Sequence, residues 1–163
     1  MIKKFSQDPK VWHNYATFLF DVVTAPDRGR ALLPRAMQSL PKFTHLDLTS
    51  KFAQLEFRSR NGDAERGRTI FEGLLSTFQK RLDLLNVLLD LEMKHGEKEQ
   101  VRRLFGRVTS SKLKSRKAKY FFKRWLEYEE KEGDAKSVEN VKARATEYVR
   151  QQEAEKASNK EEI

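Results

Sequence analysis

Large, mostly apolar side chains recur along this chain in sets of three, and the members of each set are three residues apart. The sets are Trp12, Tyr15 and Phe18; Thr49, Phe52 and Leu55; Leu85, Leu88 and Leu91; and Phe122, Trp125 and Tyr128. Residues three apart are neighbours on a helix surface, so each set predicts one face of a helix. The last members of successive sets are 37, 36 and 37 residues apart. This period is typical of stacked helical hairpins.

A turn signal follows each set, and a second helix is predicted after it. The turns are Pro26-Asp27, Asn61-Gly62-Asp63, His95-Gly96-Glu97 and Glu132-Gly133-Asp134. We expect each glycine to adopt the left-handed backbone conformation past a helix end, and the acidic residue to start the next helix. Residues 66–72 resemble residues 28–33 and, more loosely, residues 100–105. This second similarity supports a two-helix repeat.

The pattern predicts an all-α fold, a right-handed α-solenoid of about four TPR-like helical hairpins. The predicted units are residues 9–41, 42–79, 80–111 and 115–150, and the polar stretch 151–163 is expected to fray. Pro34 should kink a helix near Leu33, because proline removes a backbone hydrogen bond. The members of the four sets other than Thr49 are interpreted as the repeat core rather than as a cofactor site.

Composition narrows the class of protein further. The chain contains no cysteine, which excludes disulfides and thiolate metal sites. It contains no apolar run near the roughly 20 residues of a membrane span, and no signal peptide is visible. We therefore expect no membrane partner. The start of the chain has no obvious polar cap, and we expect it to lie within a longer array of repeats.

Positive charge is concentrated in one stretch of the sequence. The formal net charge is +9, and residues 98–124 hold eleven Lys or Arg but one acidic residue, Glu99. Such density attracts nucleic-acid phosphates, because each neutralised phosphate releases counterions. The candidate RNA-binding residues are Arg102, Arg103, Arg107, Lys112, Lys114, Arg116, Lys117, Lys119, Lys123 and Arg124. An acidic protein partner and a merely solvated helix face are the alternatives.

Aromatic residues also occur within this basic stretch. Phe122 already belongs to the repeat core, so Tyr120 is the better candidate for stacking on a base. A packed or half-exposed tyrosine with no ligand is the alternative interpretation. The basic stretch therefore predicts a polyanion-binding surface without fixing how bases are contacted.

The sequence gives little support for catalysis. His13, His45 and His95 are far apart and show no metal-ligand spacing, and the glycines do not form a phosphate-binding loop. Glu56, Glu92 and Glu129 each follow the last member of a set. Because they recur with the repeat, we expect them to pair with an arginine or a helix end rather than to act on a substrate. No enzyme activity, metal, cofactor or small-molecule substrate is predicted.

The repeat resembles the half-a-TPR (HAT) repeat. Its first helix is aromatic-rich and ends in glutamate, as in Phe122-x-x-Trp125-x-x-Tyr128-Glu129, and its second helix carries the pattern seen in Arg66-Gly67-Arg68-Thr69-Ile70-Phe71-Glu72. HAT repeats are found mainly in RNA-processing assemblies. Longer stretches, residues 32–42, 51–57, 62–74, 117–125 and 141–149, resemble the C-terminal HAT region of a family of large nucleolar ribosomal-RNA-processing factors that also carry OB-type RNA-binding domains. This resemblance covers about residues 9–150.

The resemblance implies a C-terminal part of such a factor, acting in the nucleus and nucleolus within the small-subunit processome. It implies a monomeric scaffold for pre-rRNA processing, whose partners are precursor ribosomal RNA and ribosome-assembly proteins. Two alternatives stay open. One is a HAT scaffold of pre-mRNA splicing or 3′-end processing, and the other is a purely protein-binding module without RNA contact.

Overall fold

Every regular element in the part of the chain that the structure describes is a helix. A computed structural model describes residues 3–161. The α-helices are α1 (Pro9–Asp21), α2 (Pro26–Arg30), α3 (Leu32–Ser39), α4 (His45–Arg58), α5 (Ala64–Thr77), α6 (Leu82–His95), α7 (Lys98–Ser110), α8 (Ser115–Glu132) and α9 (Ala135–Glu161). A 3-10 helix, Lys42–Thr44, precedes α4. The chain divides into two compact units between Lys98 and Glu99.

Neighbouring helices pack as hairpins within each unit. In the first unit α1 packs against α2 and α3, and α4 packs against α5; in the second unit α8 packs against α9. The all-α class of TPR-like helical hairpins is thereby confirmed. The grouping into four repeat units and the superhelical hand stay predictions.

The turns lie at the predicted positions, but their glycines are not left-handed. Asp63 caps α5, and its side chain accepts a hydrogen bond from the backbone N–H of Glu65 at 2.9 Å. Gly96 and Gly133 follow α6 and α8 with φ of −99° and −98°. The expected left-handed conformation was therefore wrong. These glycines instead provide space, because a Cβ at Gly96 would collide with Glu92 and a Cβ at Gly133 would collide with Glu129.

The predicted repeat core is correct in most of its members. Trp12, Phe52 and Leu55 share one buried cluster with residues of α1 and α3. A further set of core residues is buried elsewhere: Leu85, Leu88, Leu91, Phe122 and Trp125. Tyr15 and Tyr128 are half-buried.

Phe18 is the exception, because it is 48% exposed. Its ring stacks on Tyr15, with the ring centroids 6.4 Å apart. Leu55, at the equivalent position of α4, is buried against the hairpin that precedes α4. Among the described residues, no hairpin precedes α1. Within the described residues Phe18 therefore lacks the cover that the repeat gives to Leu55, and its assignment to the repeat core stays a prediction.

Two local predictions about helix continuity have different outcomes. The helix containing Pro34 is interrupted at Ala31, between α2 and α3. Pro34 has no backbone N–H to donate to the carbonyl oxygen of Arg30, four residues earlier, and its ring crowds that carbonyl. The helix therefore breaks near Arg30 rather than near Leu33. By contrast, α9 continues unbroken to Glu161. Fraying of residues 151–161 stays a prediction, and residues 162–163 lie outside the described residues.

The continuation of α9 follows from helix propensity rather than from burial. Residues 151–161 contain no Gly or Pro and are rich in Ala, Glu, Lys and Gln, which are good helix formers. Side chains also pair along the helix, for example Gln151 with Glu147 at 2.9 Å. Low hydrophobicity was therefore a poor indicator of where this helix ends.

Two glycines of α5 should respond in opposite ways to replacement by alanine. A Cβ at Gly67 would lie 2.7 Å from both the Ala53 carbonyl oxygen and Cδ2 of Phe57. Gly67→Ala should therefore lower the free energy of unfolding by about 1–3 kcal/mol. A Cβ at Gly73 meets nothing within 4 Å, so Gly73→Ala should raise it by about 0.5–1 kcal/mol. Urea unfolding measures both, and equal effects would contradict the close approach of α4 and α5.

Candidate nucleic-acid interface

Three glutamates are buried at equivalent positions of the repeat. Glu56 on α4, Glu92 on α6 and Glu129 on α8 are 4%, 1% and 2% exposed. A buried carboxylate is costly unless it is paired and hydrogen-bonded. Each of these side chains must therefore have a charged partner within its own surroundings.

The partner is in each case an arginine of an earlier second helix. Arg30 binds Glu56 through Nε at 2.6 Å and Nη2 at 2.9 Å. Arg68 binds Glu92 through the same atoms at 2.5 and 3.0 Å. Arg102 binds Glu129 at 2.8 and 3.0 Å. We call these three contacts the buried ion pairs, and their two parallel hydrogen bonds are the strong geometry for arginine and carboxylate.

Each arginine of a buried ion pair also binds an acidic residue three positions before it. Arg30 contacts Asp27 at 2.9 Å, Arg68 contacts Glu65, and Arg102 contacts Glu99 at 2.9 Å. The pKa of each arginine is raised, and the main cause is its hydrogen bond to the buried glutamate.

Two of the buried carboxylates, Glu56 and Glu129, also accept a hydrogen bond from a further group. The backbone N–H of Asp63 donates to Glu56 at 2.8 Å, and Nε1 of Trp125 donates to Glu129 at 3.3 Å. The recurrence of the glutamates was visible in the sequence, and the predicted pairing with an arginine is correct. Their specific partners were missed, although an arginine with an acidic residue three positions earlier recurs in the second helices.

One of the candidate RNA-binding residues, Arg102, belongs to a buried ion pair. Arg102 uses its Nε, Nη1 and Nη2 groups on Glu129 and Glu99. It is therefore engaged in holding α7 against α8, and its assignment as an RNA-binding residue stays a prediction. Its charge is already balanced by two carboxylates within the protein.

The other candidates lie on exposed or partly exposed helix surfaces and in the connection between α7 and α8. Arg103 and Arg107 are exposed on α7, Lys123 is exposed on α8, and Arg124 is half-buried. Lys123 pairs with Glu127 at 3.8 Å. Arg107 and Arg124 also have interactions within the protein.

Five cations lie close together in the sequence between Lys112 and Lys119, and no acidic residue pairs with them within the described residues; Arg103, on α7, also lacks such a partner. We call them the basic segment: Lys112, Lys114, Arg116, Lys117 and Lys119. All five are exposed, and they span the end of the α7–α8 connection and the first turns of α8. Cations near a helix N-terminus are unfavourable, and no side chain caps α8. An anion bound at this surface would relieve that repulsion.

Tyr148 of α9 contacts the connection that leads into the basic segment. The Tyr148 hydroxyl of α9 donates to the Leu113 carbonyl oxygen at 3.0 Å, and Tyr148 packs against Phe122 with ring centroids 5.7 Å apart. An open groove of about 1290 Å³ lies beside this connection and is also lined by Glu147 and Glu155. Lys112, Lys114 and Arg144 line the same groove, so its charge is mixed and two of its cations belong to the basic segment.

Other site types find no support in the described residues. The histidines do not assemble with acidic residues, since residues 3–161 contain no group of three or more His, Cys, Asp or Glu able to hold a metal ion. His13 is half-buried against Phe52, and burial is the main cause that lowers its pKa. No helix in the described part is both long enough and apolar enough to cross a membrane.

The Arg102–Glu129 pair should make stability depend on pH. The hydrogen bond from Arg102 lowers the pKa of Glu129 below its ordinary value. The stabilisation is therefore complete above the unfolded-state pKa of about 4.3 and is lost as pH falls through the lower folded-state pKa. At pH 7, Glu129→Gln should be less stable than the wild-type chain. This difference should shrink below about pH 4.3 in urea titrations; a constant difference would contradict the pairing.

The sequence is similar to one family model and to parts of much longer proteins. A family model described as Suppressor of forked protein (Suf) matches residues 47–160. The chain is 53% identical to rRNA biogenesis protein rrp5 of Schizosaccharomyces pombe over 155 residues, which are 95% of this chain and 9% of that protein. It is 44% identical to the human Protein RRP5 homolog and 41% identical to the Arabidopsis thaliana rRNA biogenesis protein RRP5, each over 149 residues.

The alignments cover most of this chain but only a small part of each relative. The human and Arabidopsis alignments cover 91% of this chain, but 8% of each relative. The chain thus spans about a tenth or less of the length of these relatives. The similarity concerns one module of much longer proteins.

Proposed function

This chain belongs to the Suppressor of forked (Suf) family, whose repeats are of the HAT type, and on that premise we propose that it is a scaffold module of a ribosome-biogenesis factor. The relatives named as rRNA biogenesis proteins support this role. The module would act in the nucleolus, and its helices would carry no catalytic group. Its partners would be ribosome-assembly proteins and precursor ribosomal RNA.

The basic segment is the observation that carries the RNA part of the proposal. Its five cations are exposed and lack acidic partners within the described residues, whereas the arginines of the buried ion pairs are neutralised inside the protein. Exposed lysine and arginine bind phosphates without reading base sequence. We therefore expect contact with the RNA backbone at this segment, with limited preference among sequences.

The protein-docking part rests on the architecture. Helical hairpins that pack only on their neighbours present extended surfaces, and such repeats serve mainly in binding. An assembly protein could contact the helices of the first unit while the second unit contacts RNA. Both contacts would help to hold a longer factor on a precursor particle.

Binding to two transcripts of equal length tests the RNA contact. One is a spacer from a ribosomal precursor and the other is an unrelated RNA, each labelled and titrated with the 163-residue chain at low salt. We expect binding to both with similar affinity. Absence of binding to either would remove RNA contact from the function and leave the purely protein-binding alternative.

A second experiment separates ribosome assembly from other RNA processing. The chain would be used to capture proteins from a nucleolar extract after nuclease treatment. Recovery of ribosome-assembly proteins is expected. Recovery of splicing or 3′-end-processing factors instead, together with a stable dimer in sedimentation, would favour the alternative HAT scaffold.

A further inference from the structure

Tyr120 is an exposed aromatic residue on α8, immediately after the basic segment. It is 50% exposed, although its ring makes a T-shaped contact with Phe121 at 5.1 Å between centroids. Phe121 is 1% exposed and belongs to the core. The tyrosine ring is therefore supported on one side by the protein while about half of the residue remains in solvent.

Each of the four nearest helical neighbours of Tyr120 carries a positive charge. Arg116 and Lys117 precede it by four and three residues, and Lys123 and Arg124 follow it by three and four. Residues at these spacings are adjacent on a helix surface, with about 5–6 Å between Cβ atoms. The exposed ring is thus placed among cations on α8. The pairing of Lys123 with Glu127 is long and exposed, which makes it weak.

We infer that this face of α8 binds single-stranded RNA, with one unpaired base stacked on Tyr120 and adjacent phosphates over the neighbouring cations. The inference rests on the proposed RNA contact and specifies its form. Base stacking on an aromatic ring requires a base whose face is open, as in loops and single strands. In a duplex the base faces are already stacked, so the same surface would contact phosphates alone.

The arrangement also distinguishes RNA from an acidic protein segment. Carboxylates would pair with the cations but would gain little from an exposed ring between them. A base has a π-face that stacks on tyrosine whatever its identity. The combination therefore favours RNA as the occupant and predicts little preference among bases.

Four proteins and two RNAs test this inference. The proteins are the wild-type chain, Tyr120→Leu, Tyr120→Phe and the control Phe43→Leu. Phe43 is 85% exposed on the 3-10 helix of the first unit, so its replacement removes an exposed aromatic ring away from the basic segment. The probes are a labelled unstructured RNA of about 16 nucleotides and the duplex it forms with its complement.

Tyr120→Leu should weaken binding to the single strand by about tenfold and leave duplex binding within about twofold. Tyr120→Phe and Phe43→Leu should bind the single strand as the wild-type chain does. Circular dichroism and thermal unfolding would establish that all four proteins are folded, and Tyr120→Phe tests the ring without removing its contact with Phe121.

Two outcomes would overturn the inference in distinguishable ways. If Tyr120→Leu binds both RNAs like the wild-type chain, base stacking is absent while the proposed backbone contact stands. If the wild-type chain binds neither RNA, the inference fails together with the RNA part of the proposed function.

Discussion

Replacing Arg68 with methionine is expected to lower the free energy of unfolding by about 3–5 kcal/mol. The substitution removes both hydrogen bonds to Glu92, whose side chain is fully buried. Methionine retains much of the apolar stem but leaves the carboxylate as a buried charge without its counterion. Burying an unpaired carboxylate is the costly part, whereas the pair itself contributes less than its short distances suggest.

The double variant Arg68→Met/Glu92→Met identifies the cause of that loss. With both charges removed, much of the stability should return, because no buried charge is left without a partner. Arg81→Met is the matched control, since Arg81 pairs with Asp83 at 2.7 Å but both side chains are largely exposed. It should cost less than about 1 kcal/mol. Urea unfolding would measure all three, and an Arg68→Met chain as stable as Arg81→Met would contradict the account.

Replacing all five residues of the basic segment with glutamine is expected to weaken RNA binding by about ten- to hundredfold at low salt. The reason is the loss of counterion release at each phosphate that these side chains neutralise. For single-stranded RNA, each lost contact should reduce the slope of log affinity against log salt by about 0.7. Loss of three contacts would therefore flatten it by about 2.

A control with the same change in net charge separates local contact from general electrostatics. Five other lysines of the second unit are exposed: Lys131, Lys136, Lys142, Lys156 and Lys160. Their replacement with glutamine removes as much positive charge from a different part of the sequence. It should reduce affinity far less than replacement of the basic segment. Equal losses in the two variants would show that overall charge, rather than this segment, determines binding.

The fold was predictable where the determining information is local. The three-residue spacing and the turn signals predicted helices and their ends, because both depend on side chains within one or two turns. The repeated Glu56, Glu92 and Glu129 likewise indicated a structural carboxylate. The exposure of Phe18 in the structure was not predictable, because exposure depends on what packs over the helix and not on the repeat pattern alone.

The candidate interface was predicted less completely, because composition does not reveal the partner of a charge. Arg102 and Lys114 are both cations of one basic stretch, yet Arg102 binds Glu129 and Glu99 while Lys114 is exposed. A usable signal existed in the recurrence of Arg30, Arg68 and Arg102, each with an acidic residue three positions earlier. The role of glycine at Gly96 and Gly133 was missed because it depends on where the carboxylate of the glutamate four residues earlier lies, rather than on backbone preference.

The salt dependence of RNA binding by the wild-type chain is the most direct test of a phosphate-contacting surface on this module. Affinity for the labelled precursor-spacer RNA would be measured from about 50 to 200 mM salt. The account predicts a linear decrease of log affinity with log salt and a slope of about −2 or steeper, which corresponds to three or more neutralised phosphates on a single strand. Binding that does not respond to salt, or no binding even at the lowest salt, would contradict a phosphate-contacting surface on this module.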